Sequence, residues 1–324
     1  MSRTIKTSVN GRNAWLLEIP LIKKLRISIV ALIAVVSIAG CAHKAKSPLH
    51  AICDAQVQVD DRIDNKLIVL EDLPGTNEAP QFVANLACTL ASRGNAVLIG
   101  LEIPTQEQRF VDAYLDSEGT DADKRKLIVA RFFSGWLRDG RNSEAVLNLI
   151  DSLRRYRKAG LAVAVLAFDS AEKGRQYREF ANSDGTSPRQ PGDDAMFRVV
   201  DEAIAKNPDS IKILLTDSSR VSRINLSPGQ NTKSLAQMLS DKHRALTFSP
   251  LYLQGTNSSV CLAPYCQNGI WPLDRIAGPP TIRLHDDPRK YNGRGIDGAY
   301  FVGSGLTRSP SAVPALPYAE PNIE

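Results

Sequence analysis

The sequence predicts an α/β protein, a mainly parallel twisted sheet with helices on both faces plus a loop-rich C-terminal region. Three observations carry that expectation. Short apolar runs alternate along the chain with segments whose apolar residues recur at helical spacing, the pattern of successive βα units. The stretch 161–168 is apolar almost throughout, as a strand covered on both faces must be. The composition, 43% hydrophobic and 23% charged, is that of an ordinary globular protein and excludes collagen, coiled coil and wholesale disorder.

Taken in order, 67–70 (Leu-Ile-Val-Leu) reads as the first strong strand, followed by the turn residues Pro74, Gly75, Thr76 and Asn77. The segment 82–93 places Phe82, Leu86 and Leu90 on one helical face and stops at Gly94, a residue suited to end a helix. A second strand is expected at 96–101, then helices over 105–115 and 121–137. Ser143 offers an N-cap to the clearest helix. Its apolar stripe includes Val146, Leu149, Ile150 and Leu153, and Arg154, Arg155, Arg157 and Lys158 close it, where cations complement the helix dipole. After the strand at 161–168, a helix opens at Asp193 and runs to about 207, and 211–215 forms a fourth buried strand. Later strands are expected at 245–253, 281–284 and 299–302, with a loop-rich stretch at 254–280.

The charge balance bears on partners. The chain carries 40 Lys+Arg and 35 Asp+Glu, a formal net charge of +5. Residues 1–40 hold six of the basic residues (Arg3, Lys6, Arg12, Lys23, Lys24, Arg26) and one acid, Glu18, so the remainder is neutral. Nucleic-acid binding loses its compositional support, because a phosphate-binding face needs a concentrated positive surplus.

Lys23, Lys24 and Arg26 precede an apolar run, 27–38, and then Ala39, Gly40 and Cys41. A positive segment, a short apolar segment and small residues define a secretory signal, and the run is shorter than the roughly 20 residues a membrane-spanning helix needs. Ile38-Ala39-Gly40-Cys41 also resembles the lipobox of bacterial lipoproteins, in which the Cys is acylated and becomes the first residue. Ala42 rather than Asp follows it, which by that resemblance implies an outer-membrane lipoprotein facing the periplasm. The expected organisation is a signal peptide at 1–40, a tether at 41–60, one domain at 61–312 and a Pro-rich tail at 313–324.

Beyond Cys41 the chain has Cys53, Cys88, Cys261 and Cys266, an even number in an oxidising compartment. Cys261 and Cys266, with four residues between them, lie in a Pro/Gly/Asn-rich stretch and suit a local disulfide. Cys53 with Cys88 is then the remaining pair, unless Cys88, on a helix's apolar face, is a core thiol. Neither pair has the spacing of a zinc site.

All four strong strands end in acids: Glu71 and Asp72, Glu102, Asp169, and Asp217. Ligands in open α/β sheets bind beyond the carboxyl ends of the strands, so parallel strands would bring these acids to one rim. Clustered carboxylates can bind a divalent ion, perturb one another's ionisation, or serve as acid and base. Polar residues also end strands for purely structural reasons. The chain has no nucleophile elbow, no phosphate-binding Walker loop, no His-Glu-x-x-His and no EF-hand spacing.

The stretch LEDLPGTNEAPQFVANLACTLASRGNAVLIGLEIP, 70–104, resembles the opening of the TIKI/erythromycin-esterase/ChaN-like superfamily. That group has a strand, then Gly-Glu, His-Gly-Thr and Glu in a loop, a helix, and a strand ending in Glu. Gly75, Thr76, Glu78 and Glu102 match the layout. Asp139, Gly140, Arg141 and Ser143 resemble the family's Asp-Gly-Arg-x-Ser helix start. DDAMF at 193–197 resembles its Arg-Asp-x-x-Met-Ala element, and IDGAYFVGSGLTRSPSA at 296–312 its closing strand.

The resemblance implies a metal-dependent hydrolase or, in the ChaN-like branch, a haem-binding lipoprotein. The family's first His position is occupied here by Pro74 and its second by Arg220. The four histidines, His43, His50, His243 and His285, follow none of the predicted core strands. An enzyme of this family that relied on imidazole would lack it here.

Two readings follow. In the first, the protein is lipid-anchored and catalytically altered, with Glu71, Glu102, Arg141 and Arg220 at the altered site, and binds a small molecule, metal or protein in an acidic strand-end crevice. In the second, Glu71, Asp72, Glu102, Asp169 and Asp217 hold a divalent metal and the protein hydrolyses an ester or amide. A purely structural envelope protein is the remaining possibility. The start at 139–143 could hold an anion through the helix N-terminus and Arg141, or Arg141 could be salt-bridged to a strand-end acid. Cys41→Ser is expected to abolish acylation and membrane retention. Detergent-phase partitioning checks it, and envelope anchoring that survives the substitution would refute the lipobox.

Overall fold

A computed structural model describes residues 52–64, 66–134, 140–169, 193–223, 233–251, 260–262, 265–267, 279–286, 295–303, 306–307 and 309–312, with backbone alone at 131, 260–262 and 265–267. All of them belong to one unit, Leu49–Glu324. Among the described residues ten strands run in chain order: β1 (Gln58–Val59), β2 (Leu67–Glu71), β3 (Val97–Pro104), β4 (Val163–Asp169), β5 (Ile211–Thr216), β6 (Leu246–Leu251), β7 (Val260–Leu262), β8 (Tyr265–Gln267), β9 (Thr281–Leu284) and β10 (Gly298–Phe301). The helices are α1 (Glu78–Ser92), α2 (Gln108–Leu115), α3 (Asp121–Ile128), α4 (Arg131–Ser134), α5 (Glu144–Lys158), α6 (Asp193–Lys206), α7 (Ser218–Val221) and α8 (Leu235–His243).

Eight strands form one sheet in the order β1-β9-β10-β6-β2-β5-β3-β4. From β10 to β4 neighbouring strands are parallel, and β9 turns antiparallel to β10 with β1 parallel to it. The protein is therefore an α/β fold on a mostly parallel sheet. β7 and β8 make a separate antiparallel pair.

The pleat sorts side chains into two layers. Ile68, Leu70, Ile99, Leu101, Ile213 and Leu215 pack with Phe82, Leu86 and Leu90 of α1 and Leu149, Ile150 and Leu153 of α5. Leu67, Val69, Leu214 and Phe168 pack with Met196 and Val200 of α6, Val221 of α7 and Leu235 and Leu239 of α8. Each such fully buried side chain contributes about 1.5–3 kcal/mol relative to exposure. Both faces of the central strands are covered, which is why their sequences read as unbroken apolar runs. At Gly100 the fit leaves no room for a side chain, since a Cβ would lie 2.3 Å from Leu214 Cδ2.

The helices differ from the expectation in extent. α1 begins four residues before Phe82, and Pro80 falls in its first turn, where a missing N–H costs no hydrogen bond. The segment expected as one helix over 121–137 stops at Ile128 and resumes as α4. The closing cations of α5 pair with acids, Arg154 with Asp151 (3.0 Å), Arg157 with Asp116 (2.9 Å) and Lys158 with Glu118 (2.5 Å). At the sheet's β4 edge, the Gln108 amide donates to Val165 O (3.0 Å) and accepts from Ala167 N–H (2.7 Å). One side chain thus satisfies the edge as a further strand would, blunting it against pairing with other chains.

Residues expected as tether join the domain from residue 52 onward. Val57 is buried and its N–H donates to Thr89 Oγ1 (3.0 Å), and Gln58 and Val59 pair with Thr281 and Ile282. Cys53 forms a disulfide with Cys88 on α1. Polar composition concealed this, because a few buried contacts and one crosslink hold the segment. The backbones of Cys261 and Cys266 lie directly opposite each other in the β7–β8 pair, and their side chains, like Cys41 and the leader, lie outside the described residues. Among the described residues no helix is long and apolar enough to cross a membrane.

The Cys53–Cys88 crosslink spans 35 residues. A loop of that length restricts the unfolded chain enough that Cys53→Ser combined with Cys88→Ala should lower the unfolding free energy by about 2–4 kcal/mol. Urea denaturation of the variant against wild type, both non-reduced, checks this.

Candidate functional site

At the carboxyl edge of the central strands the register aligns Leu70, Leu215 and Leu101 side by side, with Phe248 of β6 beside Leu70. One residue further along each strand stand Ser249, Glu71, Thr216 and Glu102. The pleat puts this row in the α6–α7–α8 layer, the layer of Leu67, Val69 and Leu214. Neighbours in the row are bonded. Ser249 Oγ donates to Glu71 Oε2 at 2.5 Å, and Thr216 Oγ1 donates to Glu102 Oε1. Glu102 Oε1 also accepts from the Asp217 N–H (3.1 Å).

Arg220 sits on this row. Asp217 caps the short helix α7, accepting from Ser219 N–H (3.0 Å), and that turn carries Arg220 back under the strand ends. Its side chain is 2% exposed. Nη1 reaches Glu102 Oε1 (3.2 Å) and Oε2 (3.3 Å) and Asp217 Oδ2, while Nε donates to Asp193 Oδ1 (3.0 Å). Asp193, the first residue of α6, also accepts from the Leu235 N–H (3.2 Å) at the start of α8. Arg141 approaches from the other side, Nη1 to Glu102 Oε2 at 2.5 Å, with its side chain 20% exposed. Glu102, Asp217 and Asp193 are thus held by two guanidinium groups. Ions buried this deeply lose much of their hydration, and only the fixed, forked donors of arginine compensate for it.

The segments singled out from the sequence meet above this cluster. Gly75 N–H donates to Gly140 O (3.2 Å), and Gly140 takes φ +85°, with no space for a side chain because a Cβ would lie 2.4 Å from Gly75 N. Ser309 N–H donates to Gly75 O (2.8 Å), and Thr307 is held by Asn77 and Glu78. Ser143 is the N-cap of α5 but makes no capping bond. Pro310 O accepts from Glu144 N–H (2.8 Å) and Ser309 Oγ from Ala145 N–H (2.8 Å). Arg141 is therefore salt-bridged to a strand-end acid, and the chain's own C-terminal segment takes the first amides of the helix. Asp139 lies outside the described residues.

Other predicted residues fall nearby or elsewhere. Asp72 is buried just past β2, its N–H donating to Thr216 O (2.6 Å). Asp169 is buried and ends β4 opposite Pro104, past an irregularity in the β3–β4 register. His243 pairs with Asp201 (2.7 Å) on α6. His285 follows β9, and burial with the nearby Arg283 lowers its pKa. Sequence reasoning missed Ser249, Thr216 and Tyr300, and took Asp193 as a helix opener and part of the DDAMF resemblance without assigning it to the site. The Tyr300 hydroxyl donates to Glu71 O, and burial, then the Asp72 and Glu71 carboxylates, raise its pKa well above the ordinary value. A signal existed for the first two, polar residues closing the apolar runs of β6 and β5.

The donor set does not fit a divalent metal ion. Both oxygens of Glu102 accept from guanidinium groups, and those of Asp217 accept from Ser219 and Arg220. Among the described residues no group of three or more His, Cys, Asp or Glu side chains is placed to hold one.

No protein-family model matches the chain, and no curated protein matches it in sequence. Solved structures do. One is a variant of EreC, an erythromycin esterase, in its open conformation, with a TM-score of 0.54 and 14% identity over 76% of this chain and 93% of that one. The chain shares the fold of an erythromycin esterase. A Bacillus cereus protein gives 0.43 with 12% identity, covering 82% of this chain and 92% of that one. The type III effector HopBA1 gives 0.39 with 13% identity, covering 75% and 89%.

Removing Arg220 would leave buried carboxylates facing one another. Arg220→Met should destabilise the protein by about 3–5 kcal/mol, and Arg220→Lys should recover only part of that loss. Urea unfolding of both variants measures it, and a neutral Arg220→Met would show that the cluster is held by other groups.

Proposed function

We propose that this is a lipid-anchored envelope protein of the ChaN/TIKI-like type, a catalytically altered relative of the erythromycin esterases that binds a ligand at the carboxyl edge of its sheet. Anchoring through acylated Cys41 would hold it at the outer membrane facing the periplasm. The fold shared with an erythromycin esterase and the lipobox support the class and the place. The observation that carries the altered chemistry is Arg220, buried among Glu102, Asp217 and Asp193. The superfamily resemblance puts an imidazole at that position.

An imidazole can take and return a proton near neutral pH, whereas a guanidinium stays protonated. Pro74, at the other histidine position of the resemblance, offers no titratable group. Glu102, with both oxygens bonded to guanidinium N–H groups, is poorly placed to act as a base. What remains is recognition. Arg141 and Asp217 are the cluster's partly exposed groups, able to meet an anionic or hydrogen-bond-donating part of a small molecule or protein partner.

The rival reading is an active ester or amide hydrolase. Assays of the mature chain on ester and amide substrates, with and without Mn²⁺ or Ca²⁺, are expected to give no turnover above background. Robust turnover that disappears in Glu102→Gln would overturn the altered-site reading.

A further inference from the structure

The start of α5 has a cap of its own and uses another. Ser143 stands at the N-cap with extended backbone (φ −78°, ψ 164°), the conformation from which a serine hydroxyl accepts from the second or third amide of a helix. It makes no such bond. Ser143 is 2% exposed, and its Oγ is buried without a hydrogen-bond partner. The second amide of the helix, that of Ala145, donates to Ser309 Oγ (2.8 Å), and the first, that of Glu144, donates to Pro310 O (2.8 Å). A buried hydroxyl left without a partner is costly. The idle Ser143 side chain therefore asks for a second arrangement in which it is used.

The segment that replaces it bridges two loops of the carboxyl edge. Ser309 N–H donates to Gly75 O (2.8 Å), Ala312 N–H donates to Asn142 O (3.2 Å), and Ser311 forms an antiparallel bridge with Ser143. Just before it, Leu306 is buried and Thr307 is held by Glu78. Those two residues fix the point from which 309–312 can lift. Arg141 lies beside Asn142 and Ser143, under the same crossing.

We infer that residues 309–312 form a displaceable strap across the start of α5, and that Ser143 is the cap that takes over when the strap lifts. In the closed state Ser309 Oγ holds the Ala145 amide. In the open state Ser143 Oγ accepts from that amide or from the next one, so the helix end is satisfied in both. An end satisfied in both arrangements lowers the cost of leaving either, which is the property of a two-state element. Lifting the strap releases Gly75 O and Asn142 O and uncovers the turn that carries Arg141. The inference concerns the opening itself and does not rest on the ligand-binding reading.

Hydrogen–deuterium exchange of the mature chain, resolved at single amides, tests it. The Ser309, Ala312 and Glu144 amides are expected to exchange through a local opening that low urea does not accelerate. In Ser143→Ala the closed state loses no bond while the open state loses its cap. Protection of the Ser309 and Ala312 amides should therefore rise about fivefold, the scale of one N-cap, with the urea unfolding midpoint undiminished. Ser309→Ala removes a bond of the closed state and should lower the same protection about fivefold. A serine that merely caps the helix gives the reverse result, with Ser143→Ala less stable and less protected. Protection unchanged or lowered in Ser143→Ala, strap amides that exchange solely by global unfolding, or a Ser143→Ala chain that fails to fold would each overturn the inference.

Discussion

The arrangement at the sheet's carboxyl edge depends on one buried guanidinium. Arg220 joins the end of β3 through Glu102, the cap of α7 through Asp217 and the start of α6 through Asp193, and Asp193 in turn holds the start of α8. Four elements are therefore tied by one side chain that cannot lose its charge. Each carboxylate is tolerable in the interior because a forked donor compensates for its lost hydration, and the strand ends are rigid because those bonds are directional. A lysine, with one compact charge, could not reach the same partners at once.

That constraint organises the loops above it. Glu102 draws Arg141 inward, and Gly140, at positive φ, lets the backbone of its turn touch Gly75. The C-terminal segment then seals the junction, Ser309 and Pro310 capping α5 while Thr307 binds the Glu78 end of α1. The loop after β2, the start of α5 and the chain's C-terminal region are far apart in sequence, yet they form one hydrogen-bonded assembly over the site. The helix N-terminus is consequently spoken for by the protein itself, and Arg141 is committed on one side to Glu102.

Much of the fold was legible in the residues. The apolar runs of β2, β3, β4 and β5 are strands because a strand buried on both faces has no polar face to show. Acids at the ends of those runs marked the sheet's carboxyl edge, where Glu102 and Asp217 meet Arg220. Less legible were the contacts that periodicity does not encode. Cys88 could have been a core thiol or a disulfide partner, and Val57 and Val59 lie in a segment whose composition reads as tether. The boundary between α3 and α4 was invisible because apolar residues continue at helical spacing across it.

The sequence by itself determined the βα order, the two-sided burial of the central strands and the placing of acids at their carboxyl ends, because these follow from local hydrophobic period and from the single hand of successive βα units. Tertiary structure alone decided which acids meet. Glu102, Asp217 and Asp193 converge because Thr216 and Glu102 occupy one register row and α6 and α7 lie on the same face. It also decided that Arg220 is a buried and Arg141 a partly exposed partner of carboxylates rather than free cations, and that Ser249 is bonded to Glu71 across 178 residues. Such pairings are set by strand order and register, properties of the assembled sheet that no single segment of the chain contains.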